Sequence, residues 1–240
     1  MRFRYCVHVV MFVLLLFVTP LVTAAEFAGN KSLVVDELVY DFGCVGMDFE
    51  IVHFYKLTNT DQKAVKIDSV KTLCECSRVR LADSVLAPGD TTTIRLEFDT
   101  RDYYGGVQKG VRVFYGKGDG SKITMFWTAI VGQWLYKVKP EPISLFFLPG
   151  QTSKKSTFLN TDLESIEIID VEALDDLITV QPVKTKAETG KAVELVITTR
   201  EDIKPGTYHT NFRVSFDVGE DAAENSLPLR ITIPAKIVRY

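Results

Sequence analysis

Between Phe49 and Leu57 every second side chain falls on one face: Phe49, Ile51, His53, Tyr55 and Leu57. A two-residue period marks a strand with one side in a core. The same spacing groups Ile94, Leu96 and Phe98, then Val111, Val113 and Tyr115, while Lys122 to Ile130 has apolar residues on both faces. Turn chemistry bounds these runs at Asn59-Thr60-Asp61, Ala87-Pro88-Gly89-Asp90, Gly105-Gly106 and Gly116-Lys117-Gly118-Asp119-Gly120. Beyond the first 25 residues no segment sustains a helical stripe over three turns. The pattern predicts an all-β protein.

Sliding the chain against itself by 101 positions superposes strand faces and turns. Leu57-Thr58-Asn59-Thr60-Asp61 falls on Phe158-Leu159-Asn160-Thr161-Asp162, and Val111-Arg112-Val113 falls on Phe212-Arg213-Val214. A period near 100 residues is domain-sized, so the pattern predicts two copies of one β unit. Seven short strands in such a length suit an immunoglobulin-like sandwich, although the Cys…Trp…Cys spacing of antibody domains is absent. The expected boundaries are 26–138 and 139–240. The join is expected at Lys137-Val138-Lys139-Pro140-Glu141-Pro142, where two prolines are expected to stop strand pairing.

The start of the chain reads as processing. Arg2 and Arg4, the apolar run from Val9 to Val18 and the small residues Thr23-Ala24-Ala25 have the order of a secretory signal peptide at 1–25. The run is short for a membrane span, which takes about 20 residues. Export is therefore expected, periplasmic if the cell is Gram-negative and extracellular otherwise, with no membrane insertion of the mature chain. Cleavage removes two Arg and no acid, making the product more acidic than the full chain at −3. Nucleic acid, held mainly by Lys and Arg, is excluded as a partner on these grounds.

Three cysteines remain after cleavage, and the sharpest chemical feature is Cys74-Glu75-Cys76. Under the 101-residue shift Cys74 meets Asp175 and Cys76 meets Leu177, so the pair is not needed to build the unit. Three readings stay open. Residues i and i+2 of a strand lie about 6.6 Å apart, so a direct Cys74–Cys76 bridge needs a tight bend. A disulfide from Cys44 to either member is the second route. Thiolates holding Cu or Zn are the third, with Cys44, Cys74 and Cys76 as candidate ligands but no further ligand near the pair in sequence.

The other features read more plainly. His53 sits on an apolar strand face and reads as a core or rim residue, and His209 lacks an acid–base partner in sequence. Gly116 to Gly120 lacks the Lys-Ser/Thr ending of a phosphate loop and reads as a hairpin turn. Asp217, Glu220, Asp221 and Glu224 make an acidic loop without Ca²⁺-loop spacing. Tyr103 and Tyr104 are candidates for an interaction surface, or for closing a sandwich corner.

Asp41-Phe42-Gly43-Cys44-Val45, Tyr55-Lys56-Leu57-Thr58-Asn59-Thr60, Cys74-Glu75-Cys76, Ala87-Pro88-Gly89-Asp90 and Phe98-Asp99-Thr100 occur in that order. Together they resemble a bacterial exported family of uncharacterised function, whose domains are similar to the hydin-like (ASH) branch of immunoglobulin-type folds. The resemblance covers residues 38 to about 132 and implies a binding or scaffolding domain. Two positions depart from it: the family usually has Thr where Cys44 stands and Gly where Glu75 stands.

No nucleophile with a positioned base, carboxylate pair or metal cluster is visible. The expectation is a non-enzymatic exported protein without a cofactor, binding another envelope protein through sheet edges and loops. One alternative is a periplasmic assembly chaperone, for which Lys137 and Lys139 near the join are the candidate groove cations. The other is thiol or soft-metal (Cu or Zn) handling by the first domain.

Overall fold

The computed structural model describes residues 32–116, 118, 120–135, 138–160, 165–188, 190–218 and 228–240. The signal-peptide segment, Lys137, Glu220, Asp221 and Glu224 lie outside them. The described chain is built of strands, and no helix in it is long and apolar enough to cross a membrane.

Nine strands precede residue 132: β1 (Leu33–Val35), β2 (Val39–Val45), β3 (Glu50–Asn59), β4 (Val65–Thr72), β5 (Ser77–Leu81), β6 (Val85–Leu86), β7 (Thr91–Asp99), β8 (Gly105–Tyr115) and β9 (Ser121–Val131). Nine follow: β10 (Lys139–Glu141), β11 (Leu145–Phe147), β12 (Lys154–Asn160), β13 (Ser165–Ala173), β14 (Ile178–Pro182), β15 (Lys186–Glu188), β16 (Ala192–Thr199), β17 (Gly206–Asp217) and β18 (Leu229–Arg239).

The two sets match strand for strand. The first has a front sheet β1-β3-β7-β5, the second a front sheet β10-β12-β16-β14. Behind them run β2-β9-β8-β4-β6 and its counterpart β11-β18-β17-β13-β15. Even the unusual pairing repeats, since β2 runs parallel to β9 and β11 runs parallel to β18. Each set closes on its own core, as expected of two immunoglobulin-like sandwiches in tandem. One core holds Phe42, Tyr55, Phe98 and Trp127, the other Phe147, Leu195, Phe212 and Ile233. Alternation explains this directly: on β7 Ile94, Leu96 and Phe98 point inward, with Arg95 and Glu97 on the opposite face.

Two features depart from the sequence expectation. Pro140 lies inside β10 and is paired with Leu159, so the first proline of the join does not end strand pairing, whereas β10 stops at Glu141, directly before Pro142. A proline fits there because β10 is the outermost strand of its sheet, where one row of amides has no ladder partner. The second departure is that the rear sheets are continuous. Strand β2 lies between β9 and β18 and links the halves into one ten-stranded sheet. β11 has three residues where β2 has seven, and it covers only Ala235–Ile237 of β18. The edge of β18 beside Ile231 is thereby open, and Cys44 pairs there.

Side chains close this junction. Arg230 Nη1 donates to Asp41 Oδ2 at 3.1 Å, Arg213 Nη1 to the Asp41 carbonyl at 3.0 Å, and Thr232 Oγ1 to the Phe42 carbonyl at 2.6 Å. Gly43 permits the approach: its φ is +69°, and a Cβ there would sit 2.1 Å from the Arg230 carbonyl oxygen. Cys44 is buried in the second core although it belongs to the first set of strands.

Candidate functional site

The outer face of the first front sheet meets β17 of the second half, and a cleft opens where they diverge. Val52 is fully buried on this face, and its amide donates to Asn211 Oδ1 at 2.7 Å. Beyond that contact lies a cavity of about 360 Å³ lined by Glu50, Arg78, Arg80, Arg95, Glu97, Leu177, Thr207, Tyr208 and His209.

Strand register produces the charge pattern. Arg78 lies opposite Glu97 and Arg80 opposite Arg95. Glu97, only 6% exposed, accepts from Arg95 Nε at 2.8 Å and from Arg78 Nε at 3.2 Å. Burial alone would raise its carboxyl, but the two guanidinium hydrogen bonds more than offset this, and its pKa lies below the ordinary value. Arg78 also pairs with Glu50 at 2.5 Å, and Arg95 donates to the His209 carbonyl at 3.1 Å. Arg80 has no ion pair among the described residues. Like charges directly opposite are unfavourable, so Arg80, set opposite an Arg95 that is already engaged with Glu97 and the His209 carbonyl, is the surplus cation of this face.

The β5 backbone is also available. Asp99 N–H bonds the Cys76 carbonyl and Ala82 N–H bonds the Thr93 carbonyl, so even positions from 76 to 82 face β7. Val79 and Leu81 therefore direct their amides and carbonyls to the open edge of the sheet.

Immediately before β5 stands the Cys pair. Cys74 and Cys76 are joined by a disulfide with Cα atoms 5.3 Å apart, closer than in an extended strand because the chain turns between β4 and β5. The buried Ser77 hydroxyl lies 3.4 Å from Cys74 Sγ and 3.6 Å from Cys76 Sγ. Cys76 lines a cavity of about 310 Å³ with Glu75, Arg78, Glu97, Asp99, Asp102 and Tyr103. Cys44 takes no part: its thiol is free and buried, and burial pushes its pKa up. The second half builds the same turn differently. There Asp175 Oδ1 accepts from Leu177 N–H at 3.2 Å and from Thr210 Oγ1 at 2.9 Å.

Of the remaining sequence candidates, His53 is buried and stacked 3.6 Å from the Tyr40 ring, with Nε2 3.0 Å from Glu37 Oε1. His209 Nδ1 lies 3.6 Å from Glu50 Oε1 at the cleft, a neighbour 159 positions away that no local pattern indicates. Tyr103 packs edge-on against Phe98 at 5.3 Å, while Tyr104 is 68% exposed. Gly118 lies in the β8–β9 hairpin. Lys139 is on the edge strand β10. Among the described residues no three His, Cys, Asp or Glu side chains form a metal-binding group. The cleft cations Arg78, Arg80 and Arg95 were not among the sequence candidates. Their signal was the polar alternation of β5 and β7, which reads equally as a solvated face.

Residues 33–130 match one family model. It is described as a protein of unknown function (DUF1573), and the matched stretch overlaps the 38–132 region of the motif resemblance. No curated protein matches the chain. Among solved structures, the chain is similar to a protein of unknown function from Porphyromonas gingivalis W83, at 14% identity over 87% of this chain and 100% of that one, with a TM-score of 0.34. It is also similar to PapD-like domain 7 of human CEP192, at 10% identity over 54% of this chain and 97% of that one, with a TM-score of 0.37. The YadV chaperone is similar at 8% identity over 84% of this chain and 100% of that one, with a TM-score of 0.34. At these scores the likenesses carry no weight for function.

Proposed function

We propose that the protein is a non-enzymatic exported binding module of the cell envelope that takes an extended, acidic segment of another envelope protein along β5 and into the interdomain cleft. The observation that carries this is the coincidence of an open strand edge with a surplus cation: Val79 and Leu81 offer backbone hydrogen bonds, and Arg80 stands opposite Arg95 without a carboxylate of its own. An added strand supplies main-chain bonds, and a carboxylate on it answers the guanidiniums. Export rests on the signal-like leader, and the boundary between the two binding halves is drawn at 138/139.

The test is fluorescence anisotropy with two labelled peptides of alternating Val and charged residues, one bearing Glu and the other Lys. The Glu peptide should bind, and Arg80→Glu should weaken it by roughly tenfold or more, about 1.4 kcal/mol. Arg112→Glu, on the rear sheet, should leave binding unchanged. Equal binding of both peptides, or indifference to Arg80→Glu, would remove the cleft from consideration.

The second reading, an assembly chaperone, is favoured by the same groove cations. Its client would be a subunit lacking a strand, and Arg78, Arg80 and Arg95 take the part that sequence alone assigned to Lys137 and Lys139. Purification with a co-expressed client, lost in Arg80→Glu, is its test.

A further inference from the structure

The duplicated fold supplies an internal control for the Cys74–Cys76 disulfide. Both halves form the same turn between matching strands, and the second forms it with the Asp175 carboxylate and no covalent bond. The bridge encloses a single residue, so it removes little freedom from the unfolded chain and stabilises less than a long-range disulfide would. Both cysteines are half-buried, Cys76 lines an open cavity, and a buried hydroxyl faces both sulfurs. Nothing in the folding of the turn requires these features.

We infer that Cys74–Cys76 is an exchange-active disulfide that accepts a thiol from a basic segment of a partner polypeptide. The incoming thiolate attacks Cys76 Sγ from the cavity. A bond forms between the partner sulfur and Cys76 Sγ, the Cys74–Cys76 bond breaks, and its electron pair leaves on Cys74. Ser77 Oγ–H donates a hydrogen bond to that thiolate, which then takes a proton from solvent. A second thiol on the partner can attack the partner sulfur of the mixed disulfide and release Cys76. The net change is then one disulfide for another: the partner dithiol is oxidised and Cys74 and Cys76 are reduced. No further oxidant enters this single turnover.

The preference for a basic segment follows from the cavity wall. Glu97 is neutralised by Arg78 and Arg95, and Asp99 lies 3.5 Å from Arg101, but Glu75 and Asp102 have no ion pair among the described residues, so the wall is acidic on balance. An anionic thiol meets repulsion there and a cationic one attraction.

The experiment uses the whole exported chain in its oxidised form. Reduction by cysteamine, a cationic thiol, and by mercaptoacetate, an anionic one, is followed by alkylation and peptide mass analysis, with the urea-denatured chain as reference for each reagent. The native bridge should react within about tenfold of the denatured rate, and cysteamine should be favoured by roughly tenfold once each rate is divided by its reference. The reduced protein should keep its circular dichroism spectrum and unfolding midpoint. In Cys74→Ser, cystamine should form a mixed disulfide on Cys76 while buried Cys44 stays unmodified. A bridge inert until the chain unfolds, or a first half that melts on reduction, would overturn the inference and make the disulfide structural. Reaction without charge preference would overturn the basic partner. None of these outcomes depends on peptide binding at β5.

Discussion

Replacing Gly43 by alanine tests how the two halves are held together. Gly43 has a φ of +69°, and a Cβ there would meet the Arg230 carbonyl oxygen at 2.1 Å and the Arg230 carbonyl carbon at 2.5 Å. Gly89 provides the control, because its φ is +82° and a Cβ there would meet nothing within 4 Å. Forcing alanine into the left-handed region should cost about 1–2 kcal/mol at either site. Only at Gly43 must a neighbouring backbone also retreat, which adds about 1–3 kcal/mol of overpacking. The retreat would stretch the Thr232–Phe42 and Arg230–Asp41 bonds that fasten β18 to β2. Thermal unfolding of both variants beside the parent protein measures the difference. For a chain of this size the Gly43→Ala midpoint should fall about 2–12 °C further than that of Gly89→Ala. Equal losses would show that conformational strain is the whole effect and that the β2–β18 approach is not the constraint described.

Three further outcomes follow from named contacts. Asn211→Ala should destabilise the protein by about 1–3 kcal/mol, because it leaves the buried Val52 amide without its acceptor, and hydrogen exchange at Val52 should accelerate. Glu97 has a folded pKa below its unfolded value of about 4.3, so its contribution is complete above that value and fades as the pH falls through the folded one. Glu97→Gln should therefore flatten the acid limb of the stability curve, measured by urea unfolding from neutral pH downward. Asp175 behaves oppositely, since burial raises its pKa despite the Thr210 bond, and the stability this provides is present at low pH and lost as the pH rises through the folded value. Asp175→Asn keeps an acceptor for Leu177 and Thr210 and should match or exceed the parent at neutral pH, whereas Asp175→Ala should lose about 1 kcal/mol per bond.

Much of the architecture was legible in order because it is local. Alternation at period two places Ile94, Leu96 and Phe98 in the core whatever lies elsewhere, and Asn, Gly and Asp mark turns through their own backbone preferences. The duplication was legible for the same reason, as two local patterns repeated at a fixed shift. The Cys-x-Cys spacing left a bridge across a bend, a bridge from Cys44 to either member and a shared metal ligand all open, because that choice depends on the turn after β4 and on where Cys44 is buried. Other properties reside in no segment. The role of Gly43 depends on Arg230, the burial of Val52 on Asn211, and the cleft on two strand faces meeting a third from the other half. Arg80 opposite Arg95 is a consequence of register between β5 and β7, and its exposure is a consequence of where the second sandwich stops. Sequence alone determined the strands, the turns and the two matching units, since these follow from side-chain alternation and backbone preference. Tertiary structure alone decided that β2 is shared, that Pro140 of the join lies on a sheet edge and that the cations gather in one groove, because each depends on which strands from separate parts of the chain come to lie side by side.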